Sequence, residues 1–271
     1  MAIAIGILIG LVLGLTGAGG SVLAVPLLMA GLGLSLSESA GLSLGAVGAA
    51  ATIGVLLRLG KGQIAWMPAL FLAVGGAAFT PVGRYLAGVL PEKLSLSLFM
   101  ALVIAIAVRM WRQARQHPDE TEALRASIGA GSERARPVCS LSPTGQFELR
   151  LPCVLRLALV GALTGMLSGL FGVGGGFVVV PALVLLTGLP MMYAVATSLA
   201  VIAGISTTGF VAFLHGGAPS SSVLVPVTLG GLGGMLLGTL IAPRLAGPRL
   251  QKLFVLLMVP LAAYTLIHAL L

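Results

Sequence analysis

The sequence has few charged side chains for its length. Aspartate, glutamate, lysine and arginine together make up 8% of its 271 residues, against about a quarter of an ordinary soluble domain. A soluble fold of this size needs more polar side chains than this to cover its surface. The shortage therefore excludes an ordinary soluble domain and predicts a surface that faces lipid.

The residues that build catalytic and metal centres are also scarce. The chain holds seven acidic residues, three histidines and two cysteines. Cys139 and Cys153 lie in or beside the one polar stretch, without the histidine cluster that would complete a metal site. No Ser/His/Asp arrangement and no pair of carboxylates falls inside an apolar stretch. We therefore predict no catalytic residues, no metal and no other cofactor, and do not expect an enzyme.

The net charge of +8 could suggest a nucleic-acid partner. In a membrane protein, retention of lysine and arginine on the cytoplasmic side is the commoner cause of such an excess. The expected partners are therefore membrane lipid and a small ligand, with no nucleic acid. A homo-oligomer is left open.

Apolar residues, in contrast, make up 58% of the chain. Several continuous runs reach the roughly 20 residues that a helix needs to cross the hydrocarbon core, and none alternates as barrel strands do. The fold class predicted is an all-α, multi-pass integral membrane protein. The apolar segments lie at 2–34, 39–59, 66–89, 94–110, 154–189, 191–214, 221–245 and 250–271. They divide the chain into an N-terminal membrane repeat (1–110), a polar cytoplasmic linker (111–152) and a C-terminal membrane repeat (153–271).

The two membrane repeats are related in sequence. A shift of 155 residues places GLTGAGGSVLAVPLL, starting at Gly14, on GLFGVGGGFVVVPAL, starting at Gly169. Between residues 6 and 99, 26 of the 94 positions aligned by this one register are identical. The pattern indicates two homologous halves of about four segments each, a feature typical of transporters.

Glycine clusters interrupt the first segment of each half. The clusters are Gly17–Gly20 and Gly172–Gly176, and consecutive glycines favour a break in the helix. Each break would begin a new half-helix whose unpaired N–H groups suit a small anion near the midplane. The candidate substrate-binding residues are Thr16, Gly17, Gly19, Gly20, Ser21, Ser43, Gly172, Gly174, Gly175, Gly176, Thr197 and Ser198. The alternative is that the glycines serve helix packing alone, as in a non-transporting scaffold or assembly factor.

Two topologies are compatible with these segments. If every segment spans, the halves are parallel, and ten Lys/Arg residues lie on the linker side against five on the other. If the first segment of each half is re-entrant, the halves are inverted and the partition is thirteen against two. The positive-inside rule favours the inverted repeat, with the linker in the cytoplasm. Glu38, Arg84, His215 and His268 lie close to segment ends, which favours loop or interfacial placement over a proton relay.

The duplicated glycine elements resemble those of the sulfite exporter TauE/SafE family of bacterial permeases. TSL from Thr197 and LAGPRLQKLF from Leu245 also fit that family. The resemblance covers nearly the whole chain except the linker. It implies a permease of the bacterial cytoplasmic (inner) membrane that moves sulfite, sulfoacetate or related organosulfur or carboxylate anions. One departure is the sequence GQIAW from Gly62, because many members of the family carry an aspartate where this chain has Ala65.

Overall fold

The computed structural model describes residues 1–17, 19–116, 151–189, 191–215 and 221–245. All regular secondary structure in these ranges is helical, in nine helices. They are α1 (Ala2–Thr16), α2 (Gly19–Leu32), α3 (Leu36–Leu59), α4 (Trp66–Val89), α5 (Glu92–Gln116), α6 (Leu151–Phe171), α7 (Gly176–Thr187), α8 (Met191–Leu214) and α9 (Ser221–Leu245). The predicted all-α class is confirmed.

Five of the described helices are long and apolar enough to cross a membrane. These spans are Leu36–Leu59, Trp66–Val89, Leu151–Phe171, Met192–Leu214 and Ser222–Ile241. Their apolar side chains are widely exposed, as Leu240 and Tyr85 illustrate with 75% and 72% of their surface accessible. Such exposure suits contact with lipid, and the protein is a multi-pass membrane protein. The predicted segment at 250–271 lies outside the described residues.

The internal repeat is visible in the helix boundaries. Adding 155 to the ends of α3 gives those of α8, and the same shift carries the start of α4 to that of α9. Several helix ends differ from the sequence-based prediction; the start of α6 at Leu151, for example, lies inside the expected linker. Helix α5 continues through Gln116 into the expected linker, and α3 begins at Leu36 because Ser35 and Glu38 form a capping box.

Glycine ends the first helix of each half. Gly17 follows α1 with a φ of 72°, and its N–H donates to Leu13 O at 2.7 Å. Gly172 follows α6 with a φ of 71°, and its N–H donates to Ser168 O at 2.7 Å. This left-handed conformation is costly for residues with a Cβ, so glycine is the usual residue at such helix ends.

The short helices α2 and α7 each run back along the helix before them. In the first half, Gly20 packs against Leu13 and Gly31 against Ile5, so α1 and α2 are antiparallel. In the second, Val179 and Leu183 of α7 share a buried cluster with Cys153 and Leu157 of α6. Each half therefore opens with a helical hairpin.

Helices of the two halves interleave through close glycine contacts. Helix α1 packs along α9 and α4 along α6, and these are the most extensive helix contacts in the described structure. Gly6 and Gly10 approach Val227 and Gly231, so α1 and α9 run parallel. Gly161 and Gly169 approach Leu72 and Thr80, so α4 and α6 also run parallel. Small residues let these backbones come together.

The repeat-related helices α3 and α8 also pack against each other, in opposite directions. Gly41 near the start of α3 contacts Phe213 near the end of α8, and Gly54 contacts Leu199. Because α3 and α8 have equivalent positions in the two halves, their relative direction bears directly on topology.

Candidate functional site

Parts of both halves meet at Gly174, in the short connection between α6 and α7. A Cβ on this glycine would lie 3.0 Å from Ser206 Oγ of α8, 3.3 Å from Val47 Cγ1 of α3 and 3.4 Å from Ser21 Cβ of α2. Gly174 also has a φ of 67°. The position therefore requires glycine both for its conformation and for the space beside it.

Buried hydroxyl groups without partners surround this connection. Ser39, Ser43, Ser168 and Ser206 are fully buried, and their Oγ atoms have no hydrogen-bond partner. Ser43 lies one turn before Val47 on α3, and Ser39 adjoins Ala40, which contacts Gly172. A buried polar group without a partner costs about 1–3 kcal/mol, so each such group calls for an explanation. A bound polar ligand would supply partners.

The first turn of α7 adds backbone donors to the hydroxyls. Helix α7 spans 12 residues; its N-cap, Gly175, has no side chain that could cap the first turn, in which the Val178 N–H donates to Gly175 O at 3.1 Å. The first N–H groups of a helix have no partner within the helix, and the helix dipole places partial positive charge there. The side chains near Gly174 carry no charge. The site therefore offers N–H and O–H donors, a combination suited to an anion.

The hydroxyls of Thr16, Thr197 and Ser198, near the first glycine break, already make hydrogen bonds within the protein. Ser198 Oγ donates to Val195 O at 2.8 Å and lies 3.3 Å from Gly17 O. Thr16 Oγ1 donates to Val12 O at 2.8 Å. Thr197 Oγ1 accepts a hydrogen bond from the Ala65 N–H at 3.0 Å and so links α8 to the start of α4.

The structure groups some of the predicted site residues and separates others. Ser21 lies close to Gly174, and Ser43 lies one turn before Val47, which also contacts Gly174, whereas Gly17 and Ser198 lie together nearer the start of α8. Gly17 contacts Val195 and Gly174 contacts Ser206, which are about 16 Å apart along the helix. Gly172 packs on Ala40, and Gly20 on α1. Gly19 begins α2, and its immediate surroundings lie outside the description.

This arrangement differs from the expectation that both breaks meet at one midplane point. Gly17 and Gly174 contact α8 at positions 11 residues apart, so the two breaks have different surroundings.

Three of the unpartnered serines are absent from the candidates predicted by sequence. The repeat register pairs Ser39, Ser168 and Ser206 with Ala194, Leu13 and Ala51, so a comparison of the halves directs attention away from them. Helical spacing in the sequence could have indicated one of the three, Ser206. Ser206 follows Ser198 by eight residues, which places both on one face of α8.

Comparison with known proteins shows which family the chain belongs to. The model of the sulfite exporter TauE/SafE family matches residues 2–265. The chain belongs to this family. The match takes in both glycine elements and all the helices described above. No solved structure matches the chain.

Relatives of this TauE/SafE protein are described as transporters. Two, from the Temecula1 and 9a5c strains of Xylella fastidiosa, are each described as a probable membrane transporter protein. Each is 29% identical over 262 residues, covering 96% of this chain and 91% of the relative. A probable membrane transporter protein of Methanocaldococcus jannaschii is 46% identical over 56 residues, 21% of each chain. Membership of a membrane transporter family is thereby shown for this chain.

Proposed function

We propose that this protein transports small anions, with sulfite, sulfoacetate and related organosulfur or carboxylate anions as the candidate substrates. The anion binds at the start of α7, where the hydroxyls of Ser43 and Ser206 and the backbone beside Gly174 face one another. The observation that carries the proposal is the close approach of Gly174, just before α7, to Ser206, whose buried hydroxyl has no hydrogen-bond partner, and to Val47, one turn after the equally unpartnered Ser43.

The chemistry of these groups favours an anion over a cation or a neutral apolar molecule. Each serine hydroxyl can donate one hydrogen bond, and oxyanions such as sulfite and carboxylates accept several. The surrounding side chains, including Val47, are apolar and buried. Hydrogen bonds to charged groups are stronger in such surroundings. The site binds the anion without placing a fixed cation in the membrane, which would be costly.

We further propose that the two halves form an inverted repeat. The antiparallel packing of α3 on α8, which are equivalent by sequence, supports it, as do the returning hairpins of α1–α2 and α6–α7. Helix α6 is long enough to span on its own, but α7 runs back along it. In this topology α5 crosses the membrane and residues 250–271 supply the last crossing.

The charge distribution orients this inverted repeat. The end of α5 and the start of α6 define what we call the linker face, which also holds Arg58 and Lys61. In the inverted topology thirteen of the 15 Lys/Arg residues would lie on the linker face, with Arg84 and Lys93 on the opposite face. The positive-inside rule then places the linker in the cytoplasm and both termini outside, in a bacterial cytoplasmic membrane.

Two measurements test the function. Purified protein is screened for thermal stabilisation by sulfite, sulfate, thiosulfate, sulfoacetate and simple carboxylates, since a ligand well above its Kd raises apparent stability. Proteoliposomes are then assayed for saturable uptake of the anions that stabilise it. A scaffold that uses its glycines only for packing would show neither stabilisation nor saturable flux.

A further inference from the structure

Arg84 is a part-buried cation in an otherwise apolar helix. Its Nη1 lies 3.4 Å from Ser37 Oγ, and its Cζ lies 4.0 Å from the centroid of the Phe213 ring. No carboxylate pairs with it among the described residues. Glu38, its acidic neighbour on α3, is instead bonded to the N–H and hydroxyl of Ser35 at 3.2 and 2.9 Å. An unpaired guanidinium near the end of a membrane segment can pair with an anion that arrives there.

The guanidinium lies beside the start of α3, the helix that also carries the buried Ser39 and Ser43. Ser37 stands in the first turn of α3, and Ser39 and Ser43 follow on the same helix toward Val47. Phe213, over which Arg84 lies, contacts Gly41 in this stretch. From Ser37 to Val47 the helix rises about 15 Å. Arg84 and the anion site beside Gly174 are therefore joined along one helix.

Arg84 can also be reached from outside the helix bundle. It lines an open groove of about 630 Å³ between α4 and α8, together with Ala77, Pro81, Thr207, Val211 and His215. A guanidinium carries five N–H donors in a planar fork, and the contact with Ser37 uses one of them. The others remain available to a ligand.

We propose that Arg84 is the recognition residue at which an anion first binds on the face opposite the linker, before it reaches the α7 site. This inference rests on the proposed function and adds a second, charged binding position to it. The ligand class is a small oxyanion whose sulfonate, sulfite or carboxylate oxygens match the fork of a guanidinium.

The phosphate of a lipid headgroup has the same chemistry and could reach the groove from the membrane. The direction of the side chain favours the transported anion, because its contacts with Ser37 of α3 and Phe213 of α8 turn the guanidinium toward these two helices and away from the lipid-facing surface. An experiment that varies lipid and substrate separately distinguishes the two ligands.

The test compares Arg84→Gln and Arg84→Lys with Lys93→Gln, which removes an exposed charge on the same face. Uptake of radiolabelled sulfite and sulfoacetate is measured in proteoliposomes at low and high salt. We expect Arg84→Gln to raise KM about tenfold or more at low salt and to flatten its salt dependence, because exposed charges attract anions less strongly in salt. Arg84→Lys keeps the charge without the planar fork, so its KM should fall between those of wild type and Arg84→Gln. Lys93→Gln should have the KM of wild type.

Equilibrium binding to detergent-solubilised protein separates this role from the inner site. Arg84→Gln should leave the Kd of the α7 site within about threefold of wild type, whereas Ser206→Ala weakens it by tenfold or more. Thermal unfolding checks that each variant is folded. If Arg84→Gln does not fold, the comparison is made with Arg84→Lys.

Three results would overturn the role of Arg84, each in a different way. If Arg84→Gln and Arg84→Lys keep the wild-type KM while Ser206→Ala loses affinity, the inner site stands and the outer one does not. If the effect of Arg84→Gln follows the phosphatidylglycerol content of the vesicles and not the substrate, Arg84 binds lipid. If wild type neither binds nor transports these anions, the proposed function itself fails.

Discussion

Ser206 Oγ lies 3.0 Å from the point that a Cβ on Gly174 would occupy. Ser206 is in the middle of α8, and Gly174 is in the connection that starts α7. Because of this close approach, substitution of Gly174 by a residue with a side chain tests whether a ligand occupies the space beside Ser206.

Substitution of Gly174 should reduce transport more than it reduces folding. Gly174→Ala adds strain of about 1–2 kcal/mol at a φ of 67° and narrows the space beside Ser206, and Gly174→Leu fills it. We expect transport per folded molecule to fall in the alanine variant and to vanish in the leucine variant. Flux is divided by the amount of monodisperse protein.

Gly88→Ala is the matched control, because its Cβ would meet no atom within 4 Å. It should leave both folding and flux unchanged. Normal flux per folded molecule in Gly174→Leu would place the anion elsewhere.

Removal of either unpartnered hydroxyl should weaken anion binding. Ser43→Ala and Ser206→Ala each delete one donor to the anion, and a hydrogen bond to a charged group contributes about 1.5–3 kcal/mol, or roughly 10- to 150-fold in affinity. Calorimetric titration with the stabilising anion measures the loss. Thr52→Val removes a hydroxyl that already donates to Gly48 O and should bind like wild type.

The same series tests the engaged serine of the first break. Ser198 donates to a carbonyl of its own helix, a common habit of buried serine, so Ser198→Ala should lose less affinity than Ser43→Ala. Equal affinity in all three serine variants and wild type would remove these hydroxyls from the site.

The glycines at the α1–α9 crossing should affect stability and not the intrinsic activity. A Cβ on Gly14 would lie 2.9 Å from Met235 O and Thr239 N, so Gly14→Ala must separate the helices, at a cost of about 1–3 kcal/mol. Thermal unfolding should show the loss, while flux per folded molecule is retained. Gly233→Ala, where no atom lies within 4 Å of the added Cβ, serves as the control.

Cysteine labelling tests the inverted topology. Single cysteines at Ala2, Ala130, Ala218 and Leu270, in a background lacking Cys139 and Cys153, are exposed to a membrane-impermeant thiol reagent. We expect Ala218 to be labelled from the same side as Ala2 and Leu270, and Ala130 from the other side. Labelling of Ala218 and Ala130 from the same face would restore the parallel arrangement.

The sequence by itself determined the membrane class, the position of most helices and the repeat. These follow from local properties. A run of apolar residues that faces lipid forms a helix, because lipid offers no hydrogen bonds and the backbone N–H and C=O groups must bond to each other. The same register that aligns Gly14 with Gly169 carries the ends of α3 to those of α8. The linker boundary was less accurate, because α5 continues through Gln116.

Only the tertiary structure decided which residues meet. Ser206 could not be found from the repeat, because its counterpart is Ala51, and only the fold shows that Thr197 Oγ1 accepts a hydrogen bond from the Ala65 N–H. The surroundings of each glycine break depend on helix packing, which brings together residues far apart in sequence. Whether a buried serine bonds to its own helix, as Ser198 does, or keeps its donor for a ligand, as we propose for Ser43, is set by what packs against it.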